Sequence, residues 1–154
     1  MSSDYGKQTI FQGGREIRTL ADGKASWKAG GITIDWSTVP ANSVNTTLPD
    51  GTIVPAGTKY IRYGTVMSRI TASNKFGPAD TTAADGRQLV TNAQRGNSFV
   101  LDRTITEAEY ASNTVGDVYD GGNAFEARLL IGGTNQPTRQ NFVDMFPKVT
   151  LTKD

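Results

Sequence analysis

The stretch from Leu48 to Asp80 alternates turns with short runs of β-forming residues, and this alternation constrains the fold more than any other feature. Residues 50–51 are Asp-Gly and residues 55–57 are Pro-Ala-Gly, both turn sequences, because glycine accepts positive φ angles and proline presets a turn. The runs TIV and KYIRYGTVMSRIT between and after them are rich in β-branched and aromatic residues. Residues 73–75 predict a further turn, and Gly77-Pro78 predicts a strand end. The stretch predicts a small β-rich domain.

The composition excludes several classes of chemistry. The chain has 154 residues, enough for one domain with a hydrophobic core, and it contains no cysteine and no histidine. These absences exclude disulfides, thiolate nucleophiles, Ser-His-Asp triads and the usual zinc sites. The formal net charge is +1, so no long-range field favours nucleic acid. We therefore predict no nucleic-acid partner.

No apolar run approaches the roughly 20 residues that a membrane helix requires, and the first residues lack the pattern of a signal peptide. We therefore expect no membrane partner and synthesis in the cytoplasm of the expressing cell.

Residues 1–24 are predicted to form an N-terminal arm, and residues 25–154 a single β-rich domain. The arm is polar around a few apolar anchors, and two interpretations stay open. One is a frayed terminus followed by an edge strand. The other is an arm that becomes ordered when it adds as a strand to the sheet of a partner. The candidate partner-binding residues of the arm are Thr9, Ile10, Phe11, Ile17 and Leu20.

Residues 32–36 alternate Ile32, Ile34 and Trp36 with polar residues, a period of two that predicts a strand with one buried face. Trp27 and Trp36 are interpreted as packing anchors rather than ligand-stacking residues. Further along, Phe99 and Leu101 are predicted to share one strand face.

A short helix is predicted at residues 106–111, because Thr106 and Glu109 have the spacing of a capping box. Residues 120–123, Asp-Gly-Gly-Asn, predict a turn, and residues 125–131 predict a strand. Glu126 and Arg128 would lie on one face of that strand and are candidate contacts with a neighbouring subunit.

The tail predicts a helix after Thr138 with Phe142 and Phe146 on one face, and a last strand in which Val149 and Leu151 face together. The helix face would pack in the core or dock on a neighbour. Phe142 and Phe146 are therefore also candidate trimer or neighbour contacts.

No residue pattern predicts a catalytic, cofactor or metal site. The loop that contains Asp80 and Asp85 does not have the ligand spacing of the twelve-residue calcium loop. Glu107 and Glu109 would point apart on a helix, and the glycine pairs do not form a phosphate-binding motif. A carboxylate-only enzyme such as a glycosidase stays open as a minor alternative.

From Pro55 to Ile131 the order of motifs resembles the small head-decoration, or capsid cement, proteins of tailed phages, typified by those of lambdoid phages. The residues that carry the resemblance are IVPAGTKYIRYGTVMSRITASNKFGPAD, DGRQLV, SFVLDR and FEARLLIGG. The PAGT turn at residues 55–58, the G-x-V-x-x-x-I run at 64–70 and the hairpin at 72–76 follow the pattern of the family. The long region before Pro55 and the tail after Gly133 depart from it.

The resemblance implies a small β-barrel or β-tulip-like domain with one or two short helices and an extended N-terminal arm. It also implies a structural protein without enzymatic activity or cofactor, which binds the exterior of the expanded head as trimers at quasi-threefold axes. The partners would be the major capsid protein and further copies of the chain, and the location would be the virion. Another virion subunit, of the tail tube, the head-completion complex or a fibre, is the alternative.

Overall fold

The computed structural model describes residues 11–12, 15–16, 20–88, 97–133, 146 and 148–152. The protein is mainly β, with 41% strand and 9% helix, as the sequence predicted, and its sheets are open. The strands are β1 Phe11–Gln12, β2 Arg15–Glu16, β3 Leu20–Trp27, β4 Thr46–Thr47, β5 Ile53–Val54, β6 Tyr60–Ile61, β7 Val66–Arg69, β8 Phe76–Pro78, β9 Ser98–Leu101, β10 Ile105–Thr106, β11 Val118–Phe125 and β12 Lys148–Thr152. The helices described are α1, Glu107–Tyr110, and 3₁₀ helices at Trp36–Thr38 and Glu126–Arg128.

The main sheet contains six strands, and its central strands β7 and β9 are buried on both faces. Its path runs β12-β11-β9-β7-β8, and β3 pairs with β11 in addition. Val66 of β7 lies opposite Val100 of β9, which lies opposite Tyr119 of β11, and all three pack in one apolar cluster. Met67 and Phe99 lie opposite each other and pack in a second cluster. Because successive strand residues point to opposite faces, the two clusters cover the two sides of the sheet.

The second cluster includes Phe99 and Leu101, which confirms that these residues share one face. However, all four residues of β9 are buried, so this strand lies between two apolar layers and is not half exposed. Ser68 and Ser98 are fully buried polar residues of the sheet. They lie opposite each other and their buried hydroxyls share a hydrogen bond of 2.9 Å.

Strand β11 holds the sheet together because it pairs on both edges. Tyr119 pairs with both β9 and β3, and Gly121 pairs with both β3 and β12. Strands β9 and β12 therefore follow one another along the same edge of β11. The prediction of a turn at residues 120–123 was wrong, because these residues lie in the middle of this strand.

The glycines of β11 fit this position for a steric reason. A Cβ on Gly121 would lie 3.0 Å from the Cβ of Ser26 and 3.1 Å from the Cβ of Lys148, on the two flanking strands. The pairing with β3 also shifts register on either side of Gly121-Gly122. The absence of a side chain at Gly121 thus lets three strands approach closely. The turn that the conformational freedom of glycine suggested is not formed here.

Several other predicted elements differ from the observed ones. The run at residues 59–71 is two strands, because the chain turns at Tyr63-Gly64, where Gly64 has a φ of +85°. Gly77-Pro78 ends a strand, as predicted: both residues lie in β8, which finishes at Pro78 on the edge of the sheet, where proline is tolerated. Residues 126–128 form a 3₁₀ helix instead of the predicted strand.

The two tryptophans have different surroundings. Trp36 is buried, with 5% exposure, and its Nε1 donates a hydrogen bond to the carbonyl of Tyr110 at 3.0 Å, so its role as a packing anchor is confirmed. It begins a 3₁₀ helix rather than a strand, because the carboxylate of Asp35 accepts a hydrogen bond from the backbone N–H of Ser37. Trp27 is 47% exposed and meets Tyr119 edge-on, so it packs on one side only.

The predicted helix begins after Thr106, as expected, but a capping box is not formed. The hydroxyl of Thr106 donates to the carboxylate of Glu109 at 3.0 Å and makes no capping hydrogen bond to the backbone. Glu109 is instead bound by Arg103 at 3.1 Å.

The C-terminal tail completes the core of its own domain. Strand β12 pairs in parallel with β11, and Val149 and Leu151 are both buried, which confirms that they face together. Phe146 is 2% exposed and belongs to the first apolar cluster. The predicted helix from Thr138 otherwise lies outside the described residues.

Candidate partner-binding surface

The structure divides the predicted arm into parts with different positions. Phe11 lies in β1, which pairs with β2 as a local antiparallel ladder. Leu20 begins β3 and pairs with Ala124 of β11, so this end of the predicted arm belongs to the main sheet. The predicted boundary at residue 24 therefore falls inside β3. Thr9, Ile10 and Ile17 lie outside the described residues, and binding of the arm to a coat protein remains a prediction.

The predicted neighbour contacts do not form one surface. Phe146 is buried in the core, which corrects its assignment as a candidate contact, and Phe142 lies outside the described residues. Glu126 and Arg128 lie in the same 3₁₀ helix and are partly exposed, and the Arg128 guanidinium stacks on the Phe125 ring at 4.2 Å. Only this pair of the predicted contacts lies at the surface described.

A hairpin at residues 41–59 carries the exposed apolar side chains that the sequence analysis did not identify. Ala41 and Lys59 pair at its base, and β4 pairs with β5 further out. Leu48 and Val54 are buried beneath it, whereas Val44 is 62% exposed and Ile53 is 68% exposed. The run TIV carried no signal for this exposure, because the exposure of Val44 and Ile53 depends on how the rest of the fold lies against the hairpin.

A groove of about 260 Å³ lies between the 41–59 hairpin and the segment from Arg103 to Glu109. One wall is formed by Ile53, Val54 and Pro55, with Asp50 and two threonines. The other wall contains two threonines between Arg103 and Glu109. The groove thus has an apolar wall facing a polar and charged one.

The charged side of the groove is held by a small ionic network. Arg103 lies 3.1 Å from Glu109 and 3.7 Å from Asp117, and its guanidinium stacks on the Tyr110 ring at 5.8 Å. Side-chain exposure near one half for all three charged residues means that solvent screens these pairs, so they position the side chains more than they stabilise the fold.

Two acidic side chains of the described part, Asp35 and Asp80, have lowered pKa values. No group of three or more potential metal ligands is found among the described residues. The pKa of Asp80 is lowered chiefly by the hydroxyl of Thr82, which donates to its carboxylate at 2.7 Å. The pKa of Asp35 is lowered in the same way by the hydroxyl of Ser37. Both carboxylates therefore serve local turns.

Among the helices that the structure describes, none has the length and apolar character needed to cross a membrane. Comparison of the chain with models of protein families, with curated proteins and with solved structures found no match in any of the three.

Proposed function

We propose that the protein is a capsid decoration protein that binds the exterior of an expanded phage head and stabilises it against internal DNA pressure. The observation that carries the proposal is that the motifs of the resemblance meet in one structural unit. The PAGT sequence at 55–58 forms a turn, with Gly57 at a φ of +84° and the N–H of Thr58 bonded to the carbonyl of Pro55. The following motifs supply β7, β8 and β9, which are neighbours in the main sheet.

The last motif, FEARLLIGG, is joined to the same unit. Leu130 pairs with Thr65 at the start of β7, and Gly132 pairs with Asp80 just after β8. Residues far apart in the sequence thus come together in one unit, which supports the proposal. A small barrel-like or β-tulip-like form and trimers at quasi-threefold axes belong to this proposal.

A decoration role suits the physical character of the surface. A cement protein requires no cofactor and no strong charge, because many weak contacts add up when each trimer spans several coat subunits. The surface described offers exposed apolar residues on the 41–59 hairpin and partly exposed charged residues at Glu126 and Arg128.

The proposal is tested by cosedimentation of the purified protein with decoration-free phage heads, with expanded and unexpanded shells compared. We expect saturable binding to expanded shells only, with bound copies in multiples of three. Binding to isolated tails but not to heads would favour the alternative of a tail or head-completion subunit.

The arm is tested by deletion of residues 1–19, which retains all of β3. We expect the shortened protein to fold, because the main sheet is intact, and to bind expanded heads more weakly, because the arm would no longer add to the coat protein. Circular dichroism and thermal unfolding provide the control for folding. An unchanged binding isotherm would contradict the role of the arm.

A further inference from the structure

Two strand edges with free backbone groups border the groove between the 41–59 hairpin and residues 103–109. At the turn end of the β4–β5 ladder, the N–H of Leu48 donates to the carbonyl of Thr52, which makes these two residues a hydrogen-bonded pair. Bonded and non-bonded pairs alternate along an antiparallel ladder, so Ile53, opposite Thr47, directs its N–H and carbonyl away from β4. Ile53 therefore presents one donor and one acceptor on the outer edge of the hairpin.

The groove wall formed by residues 103–109 also directs backbone donors and acceptors outward. Glu107 donates its N–H to the carbonyl of Lys59, which makes these two residues a hydrogen-bonded pair. Because bonded and non-bonded pairs alternate, Ile105 and Ile61 form the next bonded pair between β10 and β6. The backbone groups of Thr104 then point away from β6, while its hydroxyl accepts a hydrogen bond from the N–H of Tyr63. Among the backbone hydrogen bonds outside the strand ladders of the described residues, none involves Ile53 or Thr104.

The side chains of the groove indicate the character of its occupant. Asp50 and Glu109 oppose the single cation Arg103, so the lining carries one net negative charge. Ile53, which is 68% exposed, and Pro55 supply an apolar wall beside these charges. A lysine or arginine side chain combines an aliphatic stem with a cationic end and matches both features.

We propose that this groove binds an extended segment of a partner protein that carries a lysine or arginine, by addition of that segment as a strand along Ile53 or Thr104. Main-chain hydrogen bonds supply the affinity in this mode of recognition, and the side-chain pocket supplies the specificity. The inference does not depend on the decoration role, since it rests on the strand edges and the charge of the groove alone.

The test uses the full chain labelled with ¹⁵N and the synthetic peptide acetyl-Thr-Val-Lys-Val-Thr-amide as the probe. We expect the amide resonances of Ile53 and Thr104 to shift on titration, with a dissociation constant of about 1 mM or tighter. The same peptide with glutamate in place of lysine should bind about tenfold more weakly. A peptide with N-methylated backbone amides should not bind, because it lacks the donors that pair with the strand edge.

A matched pair of variants locates the site on the protein. Ile53→Lys places a positive charge in the groove and should weaken binding of the lysine peptide by about tenfold or more. Val44→Lys makes the same charge change at a residue that is 62% exposed and outside the groove lining, and should leave binding unchanged. Both positions are exposed, so both variants should fold.

The inference is overturned if neither amide shifts, if the N-methylated peptide binds as well as the parent peptide, or if Ile53→Lys binds the lysine peptide normally. Shifts of the same amides with protein concentration, in the absence of peptide, would show that a second copy of the chain occupies the groove, and would also overturn it.

Discussion

The main sheet and the 41–59 hairpin are built from similar β-forming residues, but the centre of the sheet buries them whereas the hairpin leaves two of its apolar side chains exposed. Val66, Val100 and Tyr119 have 0% exposure, whereas Ile53 on the hairpin has 68%. Burial of a large apolar side chain stabilises a fold by about 1.5–3 kcal/mol, whereas an exposed one contributes little to stability. The sheet therefore supplies most of the apolar burial that stabilises the protein, and we propose that the exposed side of the hairpin binds a partner.

The largest effect should come from the apolar layer on the sheet. Trp36→Ala should lower the free energy of unfolding by about 3–5 kcal/mol, because it removes a buried ring and its hydrogen bond to the carbonyl of Tyr110. Ile53→Ala on the hairpin is the comparison and should change it by less than about 0.5 kcal/mol. Urea unfolding measures both values. Equal effects at the two positions would remove the distinction between the regions.

The next effect tests the crowding around β11. Gly121→Ala should destabilise the protein by about 1–3 kcal/mol, because the new Cβ meets side chains on both flanking strands. Gly116→Ala is the control, since no atom lies within 4 Å of its added Cβ and the substitution should cost less than about 0.5 kcal/mol. A neutral Gly121→Ala would show that β3, β11 and β12 do not pack as described.

An effect of similar size is expected from the buried serine pair. Ser68→Ala and Ser98→Ala should each lower the free energy of unfolding by about 1–3 kcal/mol, because each leaves the other hydroxyl buried without its partner. The double variant should lose less free energy of unfolding than the two single variants together, because it removes both hydroxyls and leaves neither without a partner. A double-mutant cycle with additive values would contradict a direct hydrogen bond between the two residues.

The smallest effect concerns pH. The pKa of Asp80 is lowered from 3.8 by hydrogen bonds from Thr82, so the unfolded chain binds a proton more readily than the folded one. Stability from this group is present above the unfolded-state pKa and is lost as the pH falls through the folded-state pKa. Asp80→Asn should therefore reduce the acid dependence of the urea midpoint below about pH 4, with a small amplitude because the carboxylate is solvated. If the urea midpoint of Asp80→Asn fell with decreasing pH as steeply as that of the unsubstituted protein, Asp80 would not contribute to the acid dependence of stability.

The sequence predicted the features that depend on local chemistry. The β-rich class, the packing role of Trp36 and the shared face of Val149 and Leu151 follow from residue type and from a period of two. The turn at residues 55–58 follows from its proline and glycine. These features require knowledge only of near neighbours along the chain.

Features that depend on distant neighbours were not predictable in the same way. Gly121-Gly122 has the composition of a turn, and only the approach of β3 and β12 makes it a strand interior. The pattern around Phe146 left core packing and docking on a neighbour open, and only the approach of β7, β9 and β11 places its side chain in the core. The exposure of Ile53 likewise depends on the hairpin projecting from the domain, which its own alternation does not reveal.

The most direct test of the decoration role is electron cryomicroscopy of expanded phage heads saturated with the purified protein. We predict added density at the quasi-threefold axes of the outer surface, in three copies per axis, with the main sheet fitting that density as one unit. Density confined to the tail vertex, or bare threefold axes at saturating concentrations, would contradict the account.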